Sequence, residues 1–335
     1  MEIPIRHRKV LLQIKDVLKN PENKSFLIAG HLNPDGDTIG GTLALGSLLR
    51  RLDKKNIFLF NYHPVPAIYR FLGHYKKIKS AQETRRKFDV AIIIDCSDIN
   101  RLGGMIEQTR KAKTTIKIDH HADNKKWADI NWSAAEHSSV AEMIYLLFQS
   151  FKFRLNKEEA EDIYTGIVTD TYNFTQINTN PQSHFIAGEL LKCGVNPVKI
   201  VKNVYGTKSL SILRLLAKTL ESIKISKSGR VAYAVITKNI FKQTGAGPED
   251  TEGVINYLGM VPGVYVWVLF KEVPNEKYVK AGFRSIENID INKFAGEFGG
   301  GGHKNAAGCS LNMDINKAVR TIIPRIDGYL KKINA

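Results

Sequence analysis

Residues 25–37 read SFLIAGHLNPDGD, a short apolar run followed at once by His31, Asp35 and Asp37. An uninterrupted apolar run of this length is typical of a strand that is covered on both faces. A similar order recurs three times: VAIII before DCSD in 90–98, TTIKI before DHH in 114–121, and DIYTGIV before TDT in 162–171. Four segments that are far apart in the sequence therefore end in acids or histidines.

Helical patterns lie at 38–50, 139–151 and 157–168, and the last of these contains the fourth run. Alternation of strands and helices predicts an α/β domain with a mostly parallel sheet. The carboxyl ends of the strands in such a sheet form the ligand crevice. We therefore expect the four segments to bring their acids and histidines to one edge.

The pattern changes after residue 195. Helical spacing over 196–220 predicts a linker, and strand-like runs at 230–236, 264–270 and 278–283 alternate with further helical patterns. These runs predict a smaller α+β domain over 221–335. The expected organisation is a parallel-sheet domain over 1–195, the linker over 196–220 and this second domain over 221–335.

Composition narrows the classes of partner. The chain has 335 residues, 43% of them hydrophobic, and its 49 Lys and Arg against 33 Asp and Glu give a formal net charge of +16. Such a hydrophobic fraction excludes global disorder. The charge fits an anionic partner, namely nucleic acid, a phosphorylated metabolite or an anionic membrane face, but it also fits a role in solubility alone.

Cysteine content and hydropathy predict a cytoplasmic location. The three cysteines, Cys96, Cys193 and Cys309, show no paired spacing, which fits a reducing compartment better than a disulfide framework. No apolar run approaches the roughly 18 residues of a membrane span, so we expect no membrane association.

Clustered carboxylates and imidazoles predict a metal site. Burying several acids together is unfavourable unless cations neutralise them. The mixed ligands suit Mn²⁺, Mg²⁺, Fe or Zn²⁺, and about six of them fit two ions better than one. Each motif alone is weak, because a sequence such as DGD is most often a turn. The joint pattern carries the prediction.

HLNPDGDTIGG, DCSDINRLG, IDHH and TGIVTDTYNF resemble, in order, the four motifs of the DHH phosphoesterases. The resemblance is strongest to the bifunctional oligoribonucleases and pAp-phosphatases (nanoRNases), with RecJ-type exonucleases and cyclic di-AMP phosphodiesterases as relatives. It implies two divalent ions, most often Mn²⁺. The implied ligands are His31, Asp35 and Asp95 for one ion, and Asp37, Asp95, His120 and Asp170 for the other. The resemblance also implies that His121 supports the ligands or contacts phosphate, and that Asp119 orients the histidines.

Two further candidates have structural alternatives. Arg101 could bind a phosphate or form an ion pair with Asp98. His137 and Ser139 lie in EHSSVAE, a segment that the family places near its site, but Ser138 or Ser139 could equally be a helix cap.

Four consecutive glycines, Gly299, Gly300, Gly301 and Gly302, precede His303. Backbone amides without side chains can form an anion-binding nest, although no Walker A spacing follows. GGGGHKNAAG resembles the signature of the DHH-associated C-terminal domain, which holds the substrate. The resemblance implies phosphate contacts from His303 and Arg284, to which the glycine amides could add. It also implies an active cleft between the metal-dependent first domain and this second one.

The predicted reaction is hydrolysis of phosphoesters by a hydroxide that two metals activate. Short single-stranded RNA would yield mononucleotides, and pAp would yield AMP and phosphate. The alternatives are a cyclic di-AMP or pApA phosphodiesterase, a pyrophosphatase or exopolyphosphatase, and a non-catalytic nucleic-acid-binding protein. A homodimer is also possible.

Overall fold

A computed structural model of the chain describes residues 5–80, 86–121, 125–206, 208–251, 253–274 and 276–333, except the side chain of His303. The chain divides into two compact units, residues 1–207 and 208–335. Each unit has a six-stranded sheet of its own.

The first unit is built on a fully parallel sheet with the strand order β3-β2-β1-β4-β5-β6. Its strands are β1 (Ser25–Ala29), β2 (Asn56–Asn61), β3 (Ile78–Ser80), β4 (Val90–Ile94), β5 (Thr114–Asp119) and β6 (Ile130–Ser133). The chain runs outward from β1 in one direction and from β4 in the other. The carboxyl ends of these two adjacent strands therefore form the topological switch point, where open α/β sheets bind ligands.

Seven α-helices accompany this sheet in the described part of the first unit. They are α1 (Ile5–Lys19), α2 (Gly36–Arg51), α3 (Ile106–Arg110), α4 (Val140–Ser150), α5 (Lys157–Asp170), α6 (Pro181–Lys192) and α7 (Pro197–Val201). Phe26 and Ile28 of β1 pack in the larger core with α2, α4 and α5, whereas Leu27 and Ala29 pack in a smaller core on the opposite face. Side chains alternate along a strand, so β1 must be apolar on both faces.

Local signals begin the helices that lie near the switch point. Asp35 is the N-cap of α2 and accepts a hydrogen bond from the amide of Thr38 at 3.0 Å. Ser139 is the N-cap of α4 and accepts from the amide of Glu142 at 3.1 Å. Such caps satisfy amides that have no partner inside the helix. The capping interpretation of Ser139 is thus confirmed.

The second unit has a mixed sheet with the strand order β11-β12-β10-β9-β8-β7. Its strands are β7 (Lys224–Ile225), β8 (Val231–Ile236), β9 (Val266–Glu272), β10 (Val279–Ser285), β11 (Gly301–His303) and β12 (Ala306–Leu311). Only the β8–β9 pair is parallel among them. The described α-helices are α8 (Leu210–Glu221), α9 (Lys238–Thr244), α10 (Val254–Leu258), α11 (Ile291–Gly296) and α12 (Ile315–Lys332).

The predicted α/β class, with a parallel sheet followed by a smaller α+β region, is confirmed. The helical segment predicted at 196–220 consists of three pieces: α7, a π-helix over Lys202–Gly206, and α8. The first two lie in the first unit and α8 lies in the second. Among the described helices, none combines the length and apolar character needed to cross a membrane.

Candidate functional site

The predicted metal ligands converge at the carboxyl edge of the parallel sheet. His31 follows β1, Asp95 follows β4, and His120 follows β5. Asp35 and Asp37 stand at the start of α2, and Asp170 ends α5. The side chains form three groups in which the ligand atoms lie within 4.8 Å of one another. The groups are His31 with Asp35 and Asp95, Asp37 with His120 and Asp170, and Asp95 with His120 and His121.

Asp95 is the member that links these groups. Its Oδ2 lies 3.2 Å from His31 Nε2, and its Oδ1 lies 3.8 Å from His120 Nε2 and 3.6 Å from His121 Nδ1. Its Oδ2 also accepts a hydrogen bond from the Thr38 hydroxyl at 2.7 Å. The backbone of Asp95 is left-handed, with φ 53°, a conformation that non-glycine residues keep mainly where the surroundings enforce it.

Burial and the repulsion between neighbouring acids both shift the pKa values of the carboxyl groups in the site. Burial raises the pKa of Asp37 and of Asp170 well above the usual carboxyl range, and the charge of Asp95 adds to both shifts. Burial also acts to raise the pKa of Asp95, but the hydrogen bond and charge of His31 outweigh it and lower that pKa. Asp37 and Asp170 therefore either hold protons or need a nearby cation.

The donor set fits divalent cations. Carboxylate oxygens and imidazole nitrogens suit Mn²⁺, Mg²⁺ and related ions. The pKa of His31 also reflects the acids around it. Burial acts to lower this pKa, but the hydrogen bonds to Asp35 and Asp95 raise it to about 9. The residues present could therefore hold metal ions.

Lys117, which the sequence analysis did not single out, is a further part of the site. It lies on β5 with no exposed surface, and its Nζ lies 3.5 Å from Asp119 Oδ2 and donates to the carbonyl of Lys125 at 2.8 Å. Asp119 Oδ1 in turn lies 2.8 Å from His121 Nδ1. Strand alternation, which places residues two apart on one face, could have identified Lys117.

Arg101 lies in a 3-10 helix over Ile99–Met105 and is exposed. Its carbonyl accepts a hydrogen bond from the amide of Leu32 at 2.8 Å. The carboxylate of Asp98, the partner in the ion-pair interpretation, instead pairs with Lys125 Nζ at 2.7 Å. The structure therefore gives no support to the ion-pair interpretation.

His137 belongs to a separate cluster with His7 and Glu136. Its Nδ1 lies 2.6 Å from Glu142 Oε1, and its Nε2 lies 3.3 Å from Nε2 of His7. The indole of Trp132 donates toward Nδ1 of His7 at 3.4 Å. In the tautomer of His7 whose Nδ1 accepts a hydrogen bond and whose Nε2 carries the proton, hydrogen bonds alone account for the close approach of these side chains.

The backbone of the second unit requires glycine at several positions of the glycine run over 299–302. Gly299 has φ 69° and Gly302 has φ 154°, and a Cβ at Gly300 would lie 2.2 Å from the carbonyl oxygen of Gly308. The amides of Gly299 and Gly300 donate to carbonyls of Gly296 and Ala295. These two amides are thus engaged at the end of α11, and their predicted phosphate contact has no geometric support. The side chain of His303 lies outside the described part.

Arg284 lines a cavity of about 430 Å³ on the sheet of the second unit. Lys271 and Lys280, which the sequence analysis did not single out, line the same cavity. Burial lowers the pKa of Arg284 and of Lys271, and the charge of Lys280 adds to the second shift. Three cations around one cavity favour an anionic ligand.

The parallel sheet with acids and histidines at its switch point, and the mixed sheet that follows it, coincide with matches to two domain models of the DHH phosphoesterases. The chain belongs to this family: the model of the DHH family N-terminal domain matches residues 25–167, and that of the DHHA1 domain matches residues 228–332.

Several relatives cover most of the chain. It is 32% identical over 314 residues to an uncharacterized protein of Mycoplasma genitalium, covering 92% of this chain and 93% of the relative. It is 30% identical over 291 residues to the bifunctional oligoribonuclease and PAP phosphatase NrnA of Bacillus subtilis, covering 86% and 89%. A solved exopolyphosphatase-related protein from Bacteroides fragilis has a TM-score of 0.90 at 27% identity and 98% coverage of both chains. The chain is thus a hydrolase of the phosphoesterase class.

Proposed function

We propose that this protein degrades short oligoribonucleotides to mononucleotides and hydrolyses pAp to AMP and phosphate. The observation that carries the proposal is the convergence of carboxylates and imidazoles from four segments at the sheet's switch point. The names of relatives such as the Bacillus subtilis protein supply the substrate class.

Two divalent ions, which we propose to be Mn²⁺, would complete the site. His31, Asp35 and Asp95 would hold one ion, and Asp37, Asp95, His120 and Asp170 the other. When bound, such ions supply positive charge for a phosphate and a water whose pKa is lowered toward neutrality. The raised pKa values of Asp37 and Asp170 support this assignment, because a cation would remove the cost of ionising them.

The remaining site residues would position the substrate and the ligands. Lys117 lies against Asp119, and Asp119 contacts His121. This series of contacts would hold the imidazole of His121 in an orientation from which it could contact a phosphate. Arg101, being exposed near the same edge, would add a bidentate phosphate contact. In the second unit, Arg284 and His303 would bind a substrate phosphate, with Lys271 and Lys280 attracting the anion.

We further propose a cytoplasmic location, which agrees with three free cysteines. A homodimer stays a prediction.

A substrate panel with Mn²⁺ tests the proposal. Its members are RNA of about two to five nucleotides, pAp, cyclic di-AMP, pApA and pyrophosphate, and each is assayed with wild type and with Asp95→Asn. We expect wild type to hydrolyse pAp and short RNA, and Asp95→Asn to lose roughly a thousandfold in kcat. Asp98→Asn is the matched control, since Asp98 pairs with Lys125 and lies outside the ligand groups. Hydrolysis of pyrophosphate alone, of cyclic di-AMP alone, or full activity of Asp95→Asn would contradict the proposal.

A further inference from the structure

A left-handed turn follows the predicted ligand Asp170. Tyr172, Asn173 and Phe174 have φ values of 45°, 59° and 63°. Three consecutive non-glycine residues in this region are rare, because the Cβ atom approaches the following carbonyl oxygen. Such conformations persist where the surroundings enforce them, and they concentrate at functional sites.

Contacts of its neighbours enforce the turn. The amide of Asn173 donates to the carbonyl of Val168 at 2.7 Å, and the amide of Phe174 donates to the Thr171 hydroxyl at 3.1 Å. The ring of Phe174 stacks on His184 with centroids 4.7 Å apart. Phe174 therefore anchors the end of the turn, while Tyr172 remains 46% exposed.

Tyr205 braces the ring of Tyr172. The two rings meet edge to face, with centroids 5.1 Å apart and an interplanar angle of 70°. Tyr205 is itself fixed, because its hydroxyl donates to the carbonyl of Val168 at 3.0 Å. An exposed aromatic ring is thereby held in place two residues beyond Asp170, and little side-chain entropy remains to be lost on binding.

We propose that Tyr172, braced by Tyr205, is the stacking platform for a base of the nucleotide substrate. The inference rests on the proposed function, which places the scissile phosphate at the ligand groups around Asp170. A ribose separates base from phosphate, so a platform must lie beside the ligands and not among them. Stacking on an aromatic ring tolerates any base, which suits an enzyme that shortens RNA of mixed sequence.

The strain gives the proposal a distinctive test. Glycine adopts positive φ without a steric penalty, so Tyr172→Gly can keep the backbone of the turn while removing the platform. Lys152→Gly is the matched control for the backbone, because Lys152 has φ 57° in the loop between α4 and α5. Tyr172→Phe is the control for the hydroxyl, since it keeps the ring.

The experiment measures KM and kcat with Mn²⁺ for pAp and for the bisphosphorylated ribose that lacks the base, together with quenching of 2-aminopurine in a bound dinucleotide. We expect Tyr172→Gly to raise KM for pAp about tenfold, to leave kcat and the base-free KM unchanged, and to abolish the quenching. Tyr172→Phe and Lys152→Gly should match wild type in all of these measurements.

The inference fails if Tyr172→Gly leaves KM for pAp and the quenching unchanged. It also fails if the base-free KM rises equally, which would indicate a phosphate contact, or if Tyr172→Phe behaves like Tyr172→Gly. Failure of wild type to hydrolyse any nucleotide would instead overturn the proposed function, and the quenching experiment would still test the platform by binding alone.

Discussion

Lys117 is a buried charge that supports the site through its contact with Asp119. Its ammonium group has no exposed surface and faces Asp119, which in turn contacts His121. A buried lysine is tolerated when a carboxylate and a carbonyl satisfy it, as Asp119 and the carbonyl of Lys125 do here. The lysine compensates the charge of the acid that positions the imidazole.

Lys117→Met should therefore affect both stability and activity. Removing one member of a buried pair leaves the other charge uncompensated, and we expect a loss of about 3 kcal/mol in the free energy of unfolding. With its orientation weakened, His121 should contribute less, and kcat should fall while KM changes little. Urea unfolding and steady-state kinetics measure the two effects.

Lys113→Met is the control for this prediction. Lys113 pairs with Asp89 at the surface, and exposed pairs contribute little to stability. The prediction is wrong if the two variants behave alike, or if Lys117→Met retains wild-type stability and kcat.

At the scale of elements, the close packing of α2 on α5 fixes the acids at their ends relative to each other. Asp35 and Asp37 stand at the start of α2 and Asp170 at the end of α5. Gly40 permits the approach, since a Cβ there would lie 2.2 Å from the carbonyl oxygen of Asp162. A wider spacing of the two helices would separate the ligand group that contains Asp37 and Asp170.

Gly40→Ala should destabilise the first unit by about 2 kcal/mol, because overpacking forces the two helices apart. It should also weaken Mn²⁺ binding. Gly188→Ala in α6 is the matched control: no atom lies within 4 Å of its added Cβ, and alanine should stabilise an exposed helical position by roughly 0.5–1 kcal/mol. Opposite shifts in melting temperature are expected, and shifts of the same sign would refute the packing argument.

Much of the parallel sheet and its ligand edge could be predicted from the sequence because each signal is local. An apolar run and the acid after it lie within a few residues of each other, and parallel topology then brings the run ends together. The glycine run could not be explained in this way. Gly300 is required by the carbonyl of Gly308 and by Cys309, which approach only after β11 and β12 have paired.

Considered as a whole, the molecule divides its charges between the two units. The first unit collects acids at the end of a sheet, where their repulsion raises the pKa of Asp37 and Asp170 beyond the effect of burial. The second presents Lys271, Lys280 and Arg284 around one cavity. Part of the net charge of +16 therefore lies where an anion could bind, which weakens the interpretation of that charge as solubility alone.

The shifted pKa values in the first unit make its stability depend on pH. Burial acts to lower the pKa of His31, but hydrogen bonds to Asp35 and Asp95 raise it to about 9. Its stabilising contribution is complete below pH 6.5, the ordinary value, and is lost as pH rises through the folded value. The raised pKa values of Asp37 and Asp170, due first to burial, act in the same direction, because ionising them opposes folding.

Metal-free protein should accordingly lose stability as the pH rises from about 6 to about 8.5, and Mn²⁺ should restore it. A cation must displace protons from these ligands, so its binding strengthens as they are lost, and tighter binding gives greater stabilisation. We expect the gain in melting temperature on adding Mn²⁺ to be larger at about pH 8.5 than at about pH 6. Asp170→Asn should lose part of the gain, whereas Asp98→Asn should keep it. A gain that is independent of pH, or one that Asp170→Asn leaves intact, would show that the cation binds elsewhere than at these buried carboxylates.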